Sequence, residues 1–211
     1  MAQIKEGLTG SGKGMIGNLI MYEMYGKTYV RSRPSSYKDR KSPKQLIQRQ
    51  KMMLTHNLVR HLSPLLRITM KDISIGRSPY HTALSLNMKE AIDGNYPDQQ
   101  INPQKVILSK GELTAPASAS AKRTDEGILL EWSTDNHSDG YNSSSDKLIW
   151  CIKDLENTNF SDFEITAVNR GDGKYLLPKQ RSQQNSHIWI MFRSADEMRI
   201  SETKWAGHLE E

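Results

Sequence analysis

The chain has 211 residues, of which 36% are hydrophobic and 25% charged, enough for one large domain or two small ones. It has no run of about 18 apolar residues, and its first residues lack the apolar run of a secretory signal, so we expect a cytoplasmic protein without a membrane span. The single cysteine, Cys151, excludes an internal disulfide and lies in the apolar run LIWCI, which predicts a buried thiol.

The net charge changes sign along the chain. Residues 1–110 contain 18 Lys and Arg against 7 Asp and Glu, whereas residues 111–211 contain 11 against 17. Such an asymmetry is typical of two regions with different surroundings. We therefore predict a basic region over residues 1–110 and a second region over residues 111–211.

The glycine-rich start matches part of a phosphate-binding loop. Gly7, Gly12 and Lys13 have the spacing of that motif, but its next residue should be a Ser or Thr that holds magnesium, and here it is Gly14. The motif also needs a buried strand before it and a helix after it. MAQIKE is a poor central strand, and the following residues are rich in Ile, Tyr and Val. A nucleotide-dependent enzyme is therefore the less favoured interpretation.

The residues after this start predict a β-hairpin. Two strands are expected, at residues 14–24 and 27–33, with a turn at Tyr25-Gly26. Alternation would place Tyr29, Arg31 and Arg33 on one side of the second strand. A loop rich in Pro, Ser and Lys follows.

A first helix is predicted to begin at Ser42-Pro43. Ser42 is a good N-cap, Pro43 suits the first helical position, and Gln45 completes a capping box. Pro64 should end or kink this helix. Its apolar stripe consists of Ile47, Leu54, Leu58, Leu62 and Leu65.

A second helix is predicted to begin in the same way at Ser78-Pro79 and to stop at Gly94. Apolar residues recur at four-residue spacing along it, which indicates a face packed on the core. These residues are Tyr80, Leu84, Met88 and Ile92.

The remainder has the pattern of a β-protein. A short strand is expected at residues 105–109, followed by a sandwich edge near Pro116. Short segments separated by turn signals then predict further strands at 128–133, 147–153, 164–169, 175–177, 187–193 and 200–206. About seven short strands without a helix are typical of an immunoglobulin or fibronectin type III sandwich. Trp132 is the candidate aromatic residue between its two sheets.

Several short motifs distributed over nearly the whole chain occur together in one family. They are Gly12-Lys13-Gly14, Ile16-Gly17-Asn18, Gly26-Lys27, Tyr29-Val30-Arg31, Gln45, Arg49, Ser109-Lys110-Gly111, Leu113, Pro116 and Trp132. In this combination the chain resembles a family of uncharacterised Bacteroidetes proteins with a domain of unknown function. The resemblance implies no activity or catalytic residue, but it implies that the glycine-rich start belongs to the family scaffold. The C-terminal half separately resembles a fibronectin type III domain, from which its serine-rich loop at residues 142–146 departs.

The sequence offers no convincing set of catalytic or metal-binding residues. His56 and His61 are five residues apart rather than the four that align two ligands on a helix. Asp135, His137 and Asp139 share a polar loop that is better interpreted as solvated than as a cation site. We therefore expect no enzyme activity, no cofactor and no metal site.

An adhesion-type tripeptide occurs at Arg170-Gly171-Asp172. Such a short string arises easily by chance, and its position between two predicted strands favours a simple turn. We therefore expect no adhesive role for it.

The strongest physical feature is the basic stretch at residues 27–51. Tyrosines lie among or near its charges, and basic residues interleaved with aromatic ones suit a nucleic-acid backbone with stacked bases. A solvated face, or a patch that docks on an acidic partner or on the acidic half of the chain itself, is favoured over that interpretation. The candidate binding residues are Lys27, Arg31, Arg33, Arg40, Lys44 and Arg49.

Together these patterns predict an α+β protein with an N-terminal β-hairpin and two helices, followed by a C-terminal antiparallel β-sandwich of the fibronectin type III kind. We expect a non-enzymatic binding or structural protein that acts through protein–protein contact, assembly or self-association. The alternative is a nucleic-acid-binding protein that uses residues 27–51.

Overall fold

A computed structural model describes residues 2–4, 13–36, 39–134, 142–156, 160–178 and 185–209. The chain forms two compact units, Met1–Pro43 and Lys44–Glu211. The described residues contain helices and antiparallel strands, so the predicted α+β class is confirmed. Within them, no helix is both long enough and apolar enough to cross a bilayer.

The first unit contains an antiparallel sheet, called here the N-terminal sheet. Its strands are β1 (Ala2–Ile4), β2 (Gly14–Ile16), β3 (Leu19–Met24) and β4 (Lys27–Ser32), arranged in the order β1-β4-β3-β2. The predicted hairpin is therefore the centre of a larger sheet. Its turn at Tyr25-Gly26 is confirmed, since both residues have positive φ, 52° and 70°, as a two-residue hairpin turn requires.

A single first strand over residues 14–24 is wrong. Gly17 has a φ of +57° and forms a second turn with Asn18, so this segment reverses direction and becomes β2 and β3. Glycine adopts that conformation at no steric cost, which explains why the chain turns there.

The second unit begins with helices, and the prediction of two is wrong. The described residues form α1 (Pro43–Val59), α2 (Ser63–Thr69) and α3 (Pro79–Glu90). His61, with a φ of +68°, lies between the first two, and Pro64 stands at the start of α2. Proline is tolerated in a first helical turn because the N–H that it lacks would have no partner there.

Helix α3 begins as predicted, with the Ser78 hydroxyl accepting from the His81 N–H at 3.3 Å. It ends at Glu90, before Gly94. Gly94, with a φ of +86°, instead lies in the connection between β5 (Ile92–Asp93) and β6 (Gln100–Ile101), which pair with each other.

The strand predicted at residues 105–109 is also wrong. A 3₁₀ turn at Pro103–Lys105 precedes an extended segment that joins no ladder. Side chains satisfy its backbone instead. The Asn87 amide oxygen accepts from the Ile107 N–H, and the Thr203 hydroxyl accepts from the N–H groups of Leu108 and Ser109, at 2.9, 2.9 and 2.7 Å.

The described residues that follow form seven strands in two antiparallel sheets. The strands are β7 (Ala119–Arg123), β8 (Gly127–Trp132), β9 (Lys147–Asp154), β10 (Ser161–Asn169), β11 (Lys174–Pro178), β12 (Ser186–Arg193) and β13 (Lys204–Leu209). The outer sheet has the order β11-β8-β7, and the central sheet has the order β10-β9-β12-β13. The last strand begins later than predicted, because Ile200 and Ser201 form only isolated bridges.

The central sheet is covered on both faces. One face presents Trp150, Ile190 and neighbouring side chains to the apolar residues of the outer sheet. The opposite face presents Cys151 and Trp189 to a cluster that includes Leu58 of α1 and residues of α2 and α3. Helices from the basic region of the sequence therefore share a core with strands from the acidic region.

Trp132 lies in the core between the two sheets, as predicted. It is 6% exposed, its indole N–H donates to the Arg170 carbonyl at 2.7 Å, and its ring meets Phe192 edge-on at 5.7 Å. The fully buried Trp150 belongs to the same cluster. Buried aromatic area therefore contributes strongly to this core.

Candidate functional site

The six predicted binding residues are divided between the two units. Lys27 and Arg31 lie on β4, and Arg33 and Arg40 follow in the segment that leads to α1. Lys44 and Arg49 lie on α1, in the second unit. All six are exposed. The structure places Lys27 and Arg31 on the same face of one strand, and a common surface for all six stays a prediction.

The N-terminal sheet places two stacked tyrosines beside these charges. Tyr22 and Tyr29 are directly opposite in β3 and β4, with ring centroids 5.7 Å apart and an interplanar angle of 21°. Because side chains alternate along a strand, Lys27 and Arg31 flank Tyr29 on the same face. The opposite face contains Met21, which is 9% exposed.

The same sheet exposes large apolar side chains on both faces. Ile16 and Leu19, which are cross-strand partners, are 61% and 48% exposed. Met15 and Met24 belong to the tyrosine face and are 61% and 45% exposed. On the tyrosine face, exposed apolar groups and the cations Lys27 and Arg31 therefore occur together, as is typical of an interaction surface.

A groove runs between α1 and α3 in the second unit. Met52 and Met88 line it, and Met52 is 43% exposed. Arg49, Lys51 and Lys89 also line it. Arg49 therefore belongs to a basic, methionine-lined groove that is formed by residues of the second unit.

A polar cleft at one end of the central sheet was not predicted. The strand registers place Ser161, Lys153, His187 and His208 in one row across β10, β9, β12 and β13. Lys153 lies two residues after Cys151, and His187 two before Trp189, so by alternation both belong to the face that packs on the helices.

The two histidines of this row are in contact. Their rings stack with centroids 4.3 Å apart and planes 18° apart. Burial, and next the neighbouring His208, lower the pKa of His187 from 6.5 to about 4, so His187 is neutral at pH 7. The His187 Nδ1 atom is buried and has no hydrogen-bond partner among the described residues.

Lys153 is fully buried. Burial lowers the pKa of its ammonium group, while the nearby Cys151 and Asp154 favour the charged form. The side chain lines a small hollow of about 50 Å³, which shares Leu54, Ile101 and Leu155 with the cleft. A buried lysine beside a cleft is a recognised indicator of a functional site.

The cleft itself has a volume of about 450 Å³, within the usual range for small-molecule sites. Its apolar wall includes Leu54, Ile101 and Leu155, and its polar wall includes Gln99, His187 and His208. Gln99 is 6% exposed, and its Oε1 atom has no hydrogen-bond partner among the described residues. The arrangement can therefore hold a small molecule that donates a hydrogen bond.

Sequence reasoning missed this cleft. The residues concerned are far apart in the chain: Gln99, Lys153, His187 and His208. They are brought together only by the register of three strands and by the β6 segment. Each residue alone is a common polar residue in an ordinary strand or loop. No short-range pattern in the sequence could have found them as a group.

The predicted turn at Arg170-Gly171-Asp172 is confirmed as a single 3₁₀ turn. Arg170 is 2% exposed, lies 3.7 Å from the buried Asp146 carboxylate and stacks over Phe192 at 4.9 Å. Its guanidinium also donates to the Thr114 carbonyl at 2.9 Å. This arginine is a structural group and is not presented to a receptor.

Two histidines of the helical region and one polar loop were the sequence candidates for a metal site. His56 lies on α1 and its ring meets Tyr80 edge-on, while His61 lies beyond the end of the helix. The loop with Asp135, His137 and Asp139 lies outside the described residues. In the part of the chain that the structure describes, no group of three or more His, Cys, Asp or Glu could hold a metal ion.

Comparison with known proteins assigns a family. The model of a family of unknown function, DUF6266, matches residues 10–207, so the chain belongs to that family. The match includes the N-terminal sheet from β2 onward, the helices, and nearly all residues of the outer and central sheets. No curated protein and no solved structure matches the chain.

Proposed function

We propose that this protein is a non-enzymatic binding protein that contacts the acidic surface of a protein partner through its N-terminal sheet. The observation that carries the proposal is the pair of exposed methionines, Met15 and Met24, on the tyrosine face of that sheet, the face that also has Lys27 and Arg31. Their burial against a partner would be favourable by about 25 cal/mol per Å² of apolar surface.

The charge around the sheet supports an acidic partner. The described basic residues of this unit outnumber its acidic ones, Glu23 and Asp39, and Lys13 pairs with Glu23 at 3.3 Å. Arg31 and Arg33 are exposed. Basic groups around an apolar patch would speed association with an acidic surface and exclude basic ones.

A nucleic-acid-binding protein is the second candidate. The stack of Tyr22 on Tyr29, flanked by Lys27 and Arg31, favours it, since bases stack on aromatic rings while cations contact phosphates. We rank it second because Met15 and Met24 present exposed apolar side chains on the same face, which a phosphate backbone cannot complement.

We also propose that the seven C-terminal strands form a fibronectin type III-like sandwich. The strand orders β11-β8-β7 and β10-β9-β12-β13 support this, because they correspond to the three-stranded and four-stranded sheets of that architecture. Such sandwiches commonly present interaction surfaces, which agrees with a binding role.

The test compares four forms of the full chain by cross-linking in cells and then by calorimetry with each purified partner. The forms are the wild type, Met15→Ser with Met24→Ser, Arg31→Glu with Arg33→Glu, and a control, Lys122→Glu with Lys174→Glu. The control makes the same charge change on β7 and β11 of the outer sheet, where both lysines are exposed.

The proposal expects an acidic protein that binds the wild type and the control directly and loses affinity at least about tenfold with both N-terminal variants. Equal binding by all four forms would refute it. Fluorescence anisotropy with labelled DNA and RNA at about 50 and 200 mM salt separates the second candidate, whose binding would collapse at the higher salt. Self-association that only the N-terminal variants abolish would make a second copy the partner.

A further inference from the structure

We propose that the cleft lined by Gln99, His187 and His208 binds a small uncharged nitrogen heterocycle of the size and chemistry of a nucleobase. Every described residue that lines it belongs to the second unit, and none belongs to the N-terminal sheet. It therefore goes beyond the proposed partner contact.

The first argument is the buried acceptor. Gln99 is 6% exposed and lines the cleft, yet its Oε1 atom has no donor among the described residues. A buried carbonyl oxygen left without a hydrogen bond costs about 1–3 kcal/mol. A ligand N–H that reaches this oxygen would recover that cost. Carboxamides pair well with the edges of nitrogen heterocycles, which present a donor beside an acceptor.

The second argument is the imidazole pair. His187 and His208 are stacked 4.3 Å apart and both line the cleft. His187 Nδ1 is buried and has no partner among the described residues. In a neutral ring this atom either donates or accepts, depending on the tautomer, so it complements a second polar atom of the ligand. The flat rings and the apolar side chains of Leu54 and Ile101 suit a planar body.

The third argument is charge. Glu156 is the one Asp, Glu, Lys or Arg among the described residues that line the cleft. These residues therefore include none of the Lys or Arg side chains that hold phosphate or carboxylate groups. Among them, an anionic ligand would meet the Glu156 carboxylate without a compensating Lys or Arg. This favours a base or nucleoside over the corresponding nucleotide.

The test titrates the full chain with the nucleosides adenosine, guanosine, cytidine and uridine and with AMP, followed by NMR shifts of labelled protein and by calorimetry. The variants are Gln99→Met, which removes the acceptor at similar volume, and His187→Phe, which keeps a flat ring. Gln104→Met is the matched control, since Gln104 is exposed and is not among the residues that line the cleft. Circular dichroism establishes that each variant is folded.

We expect at least one nucleoside to bind with a Kd of about 1 mM or lower, and Gln99→Met to weaken it at least about tenfold while Gln104→Met leaves it unchanged. AMP should bind no more tightly than adenosine. The proposal is overturned if no nucleoside saturates the protein, if Gln99→Met has no effect, or if AMP binds much more tightly. In the first case the cleft holds only water.

Discussion

The imidazole rings of His187 and His208 stack with their centroids 4.3 Å apart, directly across the register of β12 and β13. Burial of the His187 ring disfavours its charged form, and two positive rings at this distance would also repel each other. These effects together hold the pKa of His187 at about 4. The pair therefore makes one end of the central sheet sensitive to acid.

The first prediction is a loss of stability in mild acid. The pKa of His187 is about 4 in the folded protein and 6.5 in the reference state, so the unfolded chain binds the extra proton between these values. The stability that the folded protein has with His187 neutral is fully present above pH 6.5 and is lost as the pH falls towards about 4. We expect the free energy of unfolding to fall by about 2 kcal/mol over this range. The fall is smaller than the pKa shift alone would give, because water screens a partly exposed ring.

Urea unfolding from pH 7 to pH 4 measures this loss, and His187→Phe should flatten the dependence relative to the wild type. His56→Gln is the control, because His56 is exposed on α1 and its removal should leave the pH dependence intact. Equal slopes for the wild type and His187→Phe would show that another group is responsible.

The second prediction concerns the buried pair of Arg170 and Asp146, whose side chains are 3% and 1% exposed. Arg170→Met would leave the Asp146 carboxylate buried without its cation and should cost about 3–5 kcal/mol in the free energy of unfolding. The deficit should shrink in acid, because burial already raises the pKa of Asp146 and loss of the guanidinium raises it further.

Arg193→Met is the matched control, measured by urea unfolding beside Arg170→Met. Arg193 pairs with Glu197 at 3.0 Å, but Glu197 is 70% exposed, so the loss should stay below about 1 kcal/mol. Similar losses for the two variants would mean that burial does not set the strength of the Arg170 pair.

The third prediction concerns Asn87, which is fully buried on α3. Its amide donates to the carbonyls of Ala83 and Ile107 and accepts from the Ile107 N–H, at 2.9, 2.7 and 2.9 Å. Asn87→Leu would leave both backbone groups of Ile107 without these partners and should cost about 2–4 kcal/mol.

Thermal unfolding compares Asn87→Leu with Asn95→Leu, which makes the same change at an exposed position. Amide hydrogen exchange at Ile107 gives an independent measurement, since its N–H should exchange faster once the Asn87 oxygen is gone. Unchanged protection at Ile107 would contradict the assigned hydrogen bond.

The fourth prediction is an inert thiol. Cys151 is fully buried, and burial raises its pKa to about 12, so almost no thiolate exists at neutral pH. A thiol reagent should label the native protein only through unfolding, and urea should restore fast labelling. Ala195→Cys in a Cys151→Ala background is the exposed control, and native labelling of Cys151 at the control's rate would refute the prediction.

The features predicted correctly from sequence are those set by neighbouring residues. Tyr25-Gly26 turns the hairpin because a two-residue turn needs positive φ, and Ser78 caps α3 through its own hydroxyl. Strands β8 to β12 lie where short apolar segments between turn residues predicted them. In each case the physical cause lies within a few positions of the residue concerned.

The wrong predictions have two causes: hydrogen-bond partners that are distant in the sequence, and one proline that fits two positions in a helix. Pro64 fits both the end of one helix and the start of the next, and only the structure distinguishes them. The segment after Pro103 has strand-like composition, yet Asn87 and Thr203 take the place of a neighbouring strand. The residues of the cleft are brought together by the register of the strands, and short-range sequence patterns do not specify that register.

The placement of the central sheet between two layers has a consequence for biosynthesis. Leu62 and Leu66, close to the start of the chain, pack in one cluster with Ile149 and Met191, which the ribosome adds much later. At a synthesis rate of about 5–20 residues per second, the strands that pack on the apolar side of the helices are made on the order of 10 s later. We therefore expect the nascent chain to keep this apolar surface exposed until β9 and β12 have been synthesised.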